Sequence, residues 1–231
     1  MLSGKREEGR VTDAHCHVTG GDPSVREFLI GRDFVGVHPW EAGNCSDCSI
    51  VRLRGALVAD LRLGVGEIGL DRLNEREISP RMREVFETQL RLALEFGRPV
   101  VLHGAKCWGQ VVKTVQHLTI EQSNNPNNRT IPSFLFHGFS RSDGLIPDIV
   151  ALNGFISVGP AVLNGHAVNY RELVKKIPID RLLLETDRTP ENAAERPSVR
   201  DVAAAVAELR GVSVAELERL TDENAERFRR R

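Results

Sequence analysis

The sequence predicts a single (β/α)8 barrel of the TIM type, with its first two βα units abbreviated. The length of 231 residues suits one large α/β domain. Short aliphatic runs recur along the chain between Gly, Pro or Asp, and segments with helical periodicity separate the later runs. There is no internal repeat, and the Asn-rich stretch 123–128 is interpreted as a loop. We therefore expect residues 1–231 to form one domain.

Eight runs have the composition of buried parallel strands. They are residues 11–16, 28–30, 34–37, 64–68, 99–102, 133–136, 154–158 and 181–185. Parallel strands joined by helices need right-handed crossovers, and eight of them favour closure into a barrel. An open, doubly wound sheet is the alternative. It would usually place a Gly-rich loop after the first strand, where this chain has the sequence DAHCH.

Helix boundaries are marked most clearly around the segment that precedes the fifth run. Ser79 is a predicted N-cap, Pro80 suits the first helical position, and Gly97 suits the position after the last turn. An apolar stripe between them predicts packing against a sheet. Near the end of the chain, Ser213 and Glu216 have the spacing of a capping box.

Composition limits the classes of partner. The 31 basic and 32 acidic residues give a net charge of -1, so nothing attracts the whole chain to a polyanion or an anionic membrane. Any nucleic-acid binding must be local. No stretch approaches the roughly 18 apolar residues that a membrane helix needs, and no signal peptide opens the sequence. We expect a cytoplasmic protein with no obligate protein partner.

Four cysteines in a chain of this length do not predict a disulfide scaffold. Cys45 and Cys48 form a Cys-x-x-Cys pair, which would be half of a zinc site or a redox pair. The simpler interpretation is a reduced pair in a surface loop, and it stays open here.

Two histidines at the end of the first predicted strand have the arrangement of metal ligands. Alternation along a strand puts His15 and His17 on one face, so both imidazoles can reach the same point. The same spacing places Asp13 on that face, where we expect it to hydrogen-bond a ligand. Two strand histidines can instead be satisfied core residues, and this pair alone does not decide between the readings.

Four more ionisable residues stand where other predicted strands end. They are Glu67, His103, His137 and Asp187. A barrel brings the C-terminal ends of its strands together in one ring, where such enzymes keep their sites. Six potential ligands exceed the needs of one tetrahedral ion, so we expect two divalent ions (Mg, Mn or Zn) that share a carboxylate.

The ordered motifs of the chain resemble those of the TatD-type metal-dependent deoxyribonucleases, which belong to the amidohydrolase-like barrel superfamily. The resemblance extends from Val11 to Phe228. The matching motifs are Asp13-Ala14-His15-Cys16-His17, Gly36-Val37-His38-Pro39, Gly66-Glu67-Ile68-Gly69-Leu70-Asp71, Val101-Leu102-His103, Phe136-His137-Gly138-Phe139-Ser140 and Leu184-Glu185-Thr186-Asp187.

The resemblance implies which residues hold the ions. A first ion would be bound by His15, His17, Glu67 and Asp187, and a second by Glu67, His103 and His137. Glu67 would then bridge the two ions, and Asp187 would also orient or deprotonate the attacking water. His38 is interpreted as a contact for phosphate or the leaving group, and Glu185 as a residue that positions a ligand; a purely structural role is the alternative for both.

Two departures from the family pattern concern the barrel wall and substrate binding. Only about 16 residues separate His17 from Phe34, where the family fits a helix, a strand and another helix. A basic residue that often follows the histidine of the fifth strand is replaced by Gly104. Lys106 and Arg141 are candidate replacements, and a solvated loop arginine is the alternative for Arg141.

The resemblance implies a divalent-metal phosphodiesterase that acts on DNA or a small phosphoester. Related barrels also host amide, lactone and phosphotriester hydrolysis, so a small-molecule hydrolase is the second hypothesis. A non-catalytic metal-binding protein is the third. A complete ligand set argues against it, because a structural site needs only four closed ligands. Trp40 and Trp108 follow strand ends. Each would either line the barrel mouth or pack at its rim, and the sequence does not decide between these roles.

Overall fold

The computed structural model describes residues 11–74, 76–124 and 131–230. Within them, eight parallel strands form the inner wall: β1 (Val11–Cys16), β2 (Val25–Leu29), β3 (Phe34–Val35), β4 (Gly64–Asp71), β5 (Val100–Ala105), β6 (Phe134–Phe136), β7 (Gly154–Val158) and β8 (Leu182–Leu184). The helices are α1 (Asp47–Ala59), α2 (Pro80–Phe96), α3 (Trp108–Ser123), α4 (Ile146–Ala151), α5 (Val168–Lys176), α6 (Val199–Arg210) and α7 (Val214–Arg229).

The strands follow chain order around the wall, which confirms the predicted (β/α)8 barrel. Strands β3 to β8 form one sheet, and β1 pairs with β2 in parallel. A bridge between Ile30 and Phe34 joins the two sheets on one side. On the other side, the Asp187 amide donates to the His15 carbonyl at 3.0 Å, and the His17 amide donates to the Arg188 carbonyl at 2.8 Å. The ends of β1 and β8 are thereby held together.

The first two βα units are abbreviated, as the sequence predicts. Residues 17–24 and 30–33 connect β1, β2 and β3 without a helix. Part of the missing cover comes from the end of the chain, because α7 packs against β1 and β8. Its Phe228 is buried and stacks on Phe34, and it also contacts Phe28 and Phe155 in the barrel interior.

Strand β4 is longer than predicted, since it runs to Asp71 rather than ending at Ile68. The glycine at position 69 makes the extension possible. A Cβ there would overlap the carbonyl group of His103, so only glycine lets β4 and β5 continue side by side. By contrast, β3 is reduced to two residues and the predicted third run ends early.

Helix α2 begins and ends where the sequence predicts. The Ser79 hydroxyl accepts a hydrogen bond from the Met82 amide at 3.1 Å, and Gly97 has a φ of 60°. The capping box predicted at Ser213 is only half formed: its hydroxyl accepts from the Glu216 amide, but the Glu216 side chain does not accept from the Ser213 amide. Both bonds of a box are present at Ser198, before α6. Among the described helices, none is long and apolar enough to cross a membrane.

Candidate metal centre

The Glu67 carboxylate lies at the centre of the barrel mouth. It is almost fully buried, in the middle of β4. Its Oε1 atom lies 2.5 Å from Nδ1 of His103 and 2.6 Å from Nε2 of His137. Its Oε2 atom lies 3.4 Å from Nε2 of His15 and 3.5 Å from Nε2 of His17. The two oxygens therefore face two different pairs of imidazoles.

Asp187 lies beside the first of these pairs. Its Oδ1 atom is 3.5 Å from Nε2 of His15 and 3.7 Å from Nε2 of His17. The residue has a φ of 50°, a left-handed conformation that turns the chain at the end of β8. Burial alone would raise the Asp187 pKa, but the contact with the His15 imidazole and the charge of His137 outweigh it and lower the pKa. The carboxylate is 39% exposed, so it is the acid of the cluster that reaches solvent.

All six predicted ligands are brought together, and with His38 they form three groups that could each hold an ion. Each group's ligand atoms lie within 4.8 Å of one another. The groups are His15, His17 and Glu67; His15, His137 and Asp187; and His38, Glu67 and His103. The sequence places His137 with His103 and leaves His38 outside the ligands. In the structure, Nε2 of His137 lies 3.4 Å from Nδ1 of His103, and the His137 ring also stacks on that of His15 with centroids 4.0 Å apart. His38 lies beside His103.

The donor atoms fit divalent cations. His15 is fully buried, yet neither of its ring nitrogens makes a hydrogen bond with the described residues, and Nδ1 of His137 is also unpartnered. Buried polar atoms without partners are costly, and ligation of an ion would satisfy them. Although burial disfavours its charged form, the neighbouring His137 and His103 hold the Glu67 pKa well below its usual range. A buried anionic carboxylate surrounded by imidazoles suits zinc, manganese or a related ion.

Comparison with known proteins assigns this arrangement to a family. The family model described as TatD related DNase matches residues 31–230. The chain belongs to this family. It is therefore a metal-dependent hydrolase with a TatD-type barrel.

Curated relatives and solved structures agree with the assignment. The chain is 29% identical over 218 residues to the uncharacterized metal-dependent hydrolase YabD of Bacillus subtilis, a match that covers 91% of this chain and 82% of that protein. It is 31% identical over 206 residues to the 3'-5' ssDNA/RNA exonuclease TatD of Cronobacter sakazakii, a match that covers 84% of this chain and 74% of that protein. The crystal structure of YJJV, a TatD homologue from Escherichia coli K12, has a TM-score of 0.68 at 25% identity and covers 90% of this chain and 78% of that one.

Asp71 is a residue of this TatD-family site that the sequence reasoning missed. It is buried, and its Oδ2 lies 2.8 Å from Nε2 of His103. The Trp40 indole donates to the same oxygen at 2.8 Å. Hydrogen bonds from His103 and Trp40 outweigh burial and lower the Asp71 pKa. A signal was present, because period-two alternation places Asp71 on the same strand face as Glu67.

His38 presents a donor to the TatD-type centre. Its Nδ1 accepts a hydrogen bond from the Trp40 amide at 3.2 Å, so the neutral ring carries its proton on Nε2. That nitrogen lies 3.5 Å from Oε1 of Glu67. His38 precedes the 3-10 helix Pro39–Asn44 and serves as its N-cap. An Nε2–H group in this position can donate to an oxygen of a substrate.

The prediction that Asp13 hydrogen-bonds a ligand ring is wrong. Its carboxylate accepts from the Thr186 amide at 2.9 Å and from the Thr186 hydroxyl at 2.6 Å. The only link to His15 is a 3.4 Å contact with the backbone amide. Asp13 therefore ties β1 to the residue before Asp187. Desolvation by burial raises its pKa to about 7 despite these hydrogen bonds.

Glu185 lies behind His137. Its Oε2 is 3.8 Å from Nδ1 of His137 and accepts a hydrogen bond from the Ser157 hydroxyl at 2.5 Å. Its Oε1 accepts from the Gly138 amide at 2.8 Å. The carboxylate is buried among these partners. Its place beside a candidate ligand agrees with the positioning role expected from the sequence.

The structure adds a cation to the two that the sequence suggests. Lys106 and Arg141 are both exposed, with φ values of 55° and 56°. Arg196 places Nη2 3.7 Å from Oδ2 of Asp187, while its Nε donates to the Thr186 carbonyl at 2.5 Å. Neither strand nor helix periodicity marks it, because it lies in an irregular segment ten residues beyond Thr186. Its signal is the segment Arg196-Pro197-Ser198, which resembles the family motif before the next helix.

Gly104 and the Cys-x-x-Cys pair each have a structural explanation. A Cβ at Gly104 would overlap the buried ring of Trp108, which packs on Phe136 and Phe139. Trp108 is thus a packing residue. Cys45 is buried and Cys48 is exposed, both as free thiols. Among the described residues, neither joins a group that could hold a metal.

Proposed function

We propose that this chain hydrolyses phosphodiester bonds at nucleic-acid ends, as one domain, with two divalent ions bridged by Glu67. The observation that carries the proposal is the division of the Glu67 carboxylate between two sets of imidazoles. Oε1 faces His103 and His137 within 2.6 Å, and Oε2 faces His15 and His17 within 3.5 Å. A carboxylate with an oxygen in each half of a site suits a shared ligand.

The proposed ligand sets are those that the family resemblance implies. His15, His17, Glu67 and Asp187 hold one ion, and Glu67, His103 and His137 hold the other. When bound, the ions supply Lewis acidity that polarises the phosphoester and activates water. Their identity is Mg, Mn or Zn in this proposal.

The remaining chemistry belongs to side chains at the edge of the cluster. Asp187 orients the attacking water and accepts its proton, because it is the cluster's solvent-reaching carboxylate. His38 donates from Nε2 to an oxygen of the phosphate or leaving group. Arg196, 3.7 Å from Oδ2 of Asp187, keeps that carboxylate oriented.

The substrate class is supported by similarity and by charge. The Cronobacter sakazakii relative is named as an exonuclease of single-stranded DNA and RNA. The net charge of -1 gives this chain no general attraction to polyanions, so contact with nucleic acid is confined to the mouth. Short single-stranded ends suit such a local contact better than long tracts.

Metal content and phosphodiesterase activity of Glu67→Gln, measured beside wild type, test the proposal. Wild type is expected to hold about two Mn ions and to cleave a single-stranded oligonucleotide. Glu67→Gln keeps the shape but not the charge, so it should lose at least one ion and most of the activity. The control is Glu208→Gln on an exposed face of α6. Cleavage of lactones or amides far above any phosphodiester would assign the site to small-molecule hydrolysis instead.

A further inference from the structure

Trp40 combines high exposure with a fixed orientation. Its side chain is 58% exposed, and the other large exposed apolar side chains among the described residues are all aliphatic. An indole in solvent gains nothing from burial, so its position calls for another explanation. The ring is not free to turn, because Nε1 donates to Oδ2 of Asp71 at 2.8 Å.

The anchor of the indole is itself rigid. The second carboxylate oxygen of Asp71 accepts from the amides of Leu73 at 2.5 Å and Asn74 at 2.8 Å. At the other end, the backbone amide of Trp40 donates to Nδ1 of His38. The side chain therefore enters a binding event already ordered, which lowers the entropy cost of stacking a ligand on it.

The indole also lies next to the proposed reaction site. Its ring meets the His38 ring edge to face, with centroids 4.8 Å apart. His38 Nε2 in turn is 3.5 Å from Oε1 of Glu67. A substrate whose phosphodiester lies over Glu67 therefore has its neighbouring groups within reach of Trp40.

We infer that Trp40 is a stacking platform for a single nucleobase next to the scissile phosphodiester. The inference rests on the proposed function and adds a specificity determinant to it. Base stacking on an aromatic ring tolerates every base, since each has a π-face. Trp40 is the one exposed Trp, Tyr or Phe among the described residues, so stacking at this site involves one base and does not depend on sequence.

Abasic scanning of a short oligonucleotide tests the inference. Single nucleotides are replaced in turn by a tetrahydrofuran residue, and KM is measured for wild type, Trp40→Leu, Trp40→Phe and the exposed-valine control Val51→Ala. In wild type, one abasic position should raise KM by about ten- to hundredfold. The Trp40→Leu variant should lose that penalty, and Trp40→Phe should keep most of it. The informative quantity is the ratio of KM for the abasic substrate to KM for the intact one, because loss of the hydrogen bond between position 40 and Asp71 affects both substrates equally.

A KM that is insensitive to every abasic position in wild type overturns the inference, and so does a penalty that persists in Trp40→Leu. If no phosphodiester is cleaved, the proposed function fails. Tryptophan fluorescence of the metal-free protein then tests base stacking on Trp40 independently of activity. The chain has two tryptophans, and Trp108 is buried. Oligonucleotide should quench wild-type emission saturably and leave Trp40→Leu unchanged; absence of saturable quenching in wild type contradicts stacking.

Discussion

Oδ2 of Asp71 lies 2.8 Å from Nε2 of His103, on the opposite side of the imidazole from Glu67. The carboxylate fixes the proton of the ring on Nε2 and turns Nδ1 toward the centre of the site. Burial disfavours a charged ring, but the hydrogen bonds to Asp71 and Glu67 raise the His103 pKa to about 9. One buried acid thus orients two side chains: His103, a candidate metal ligand, and Trp40, a candidate substrate contact.

We predict that Asp71→Asn lowers the affinity for the second ion by about 10- to 100-fold. Oδ2 accepts from both His103 and Trp40, so an amide nitrogen in that place loses both hydrogen bonds. In the other orientation the amide loses the bonds from the backbone of residues 73 and 74, which hold the carboxylate in place. Calorimetric titration of the metal-free variant with manganese measures the change. Asp148→Asn on the exposed side of α4 is the control. Wild-type affinity in Asp71→Asn would show that this carboxylate does not position His103.

Arg196→Ala is expected to lower kcat about tenfold while the metal content stays near that of wild type. The guanidinium holds the Thr186 carbonyl and lies beside the outer oxygen of Asp187, so its removal loosens the carboxylate that faces solvent. Steady-state kinetics with metal analysis of the same preparation separate the two effects. Arg91→Ala, which breaks a surface pair with Glu121, is the matched control. An unchanged kcat would remove Arg196 from the site.

Asp13 predicts a pH-dependent difference in stability. Its folded-state pKa of about 7 exceeds the ordinary 3.8, so its stabilising contribution is complete below pH 3.8 and is lost as the pH rises through 7. Asn cannot ionise and avoids this loss. Relative to Asp13→Asn, metal-free wild type should lose free energy of unfolding between pH 4 and 7, on the order of 4 kcal/mol. The free energies of unfolding are measured by urea titration at each pH. A difference between wild type and Asp13→Asn that stays constant with pH would exclude a buried, protonatable Asp13.

A side chain at position 104 is expected to destabilise the fold. The Cβ of Gly104→Ala would overlap the Trp108 ring, which is buried against β6, so unfolding should become easier by about 1–3 kcal/mol. Gly109→Ala in α3 meets no atom within 4 Å and should be neutral or stabilising. In Trp108→Leu, which frees space, the penalty at 104 should shrink in a double-mutant cycle. Equal penalties in both backgrounds would contradict the overlap.

The barrel and its ring of ligands were predictable because both follow from local patterns. Strand runs, caps and glycines set the elements, and closure places residues such as Glu67 and His137 at one mouth. The role of Asp71 was harder to see, because β4 extends through Gly69 and a glycine ordinarily suggests the end of a run.

Partners that are distant in sequence leave no local pattern. Asp13 and Thr186 are 173 residues apart, so alternation could place Asp13 on a face but not choose its partner. Arg196 lies in an irregular connection, where neither period two nor period 3.6 constrains a side chain. The stacking of His137 on His15 and the place of His38 beside His103 likewise depend on rotamers set by packing around the mouth.

The bridge at Glu67 is tested most directly by electron paramagnetic resonance of the protein loaded with two equivalents of manganese. Ions that share a carboxylate lie about 3.5 to 4 Å apart and interact magnetically. We predict a spectrum of coupled ions in wild type, replaced by that of isolated ions in Glu67→Gln. A spectrum of isolated manganese in wild type that holds two bound equivalents would contradict the bridged centre.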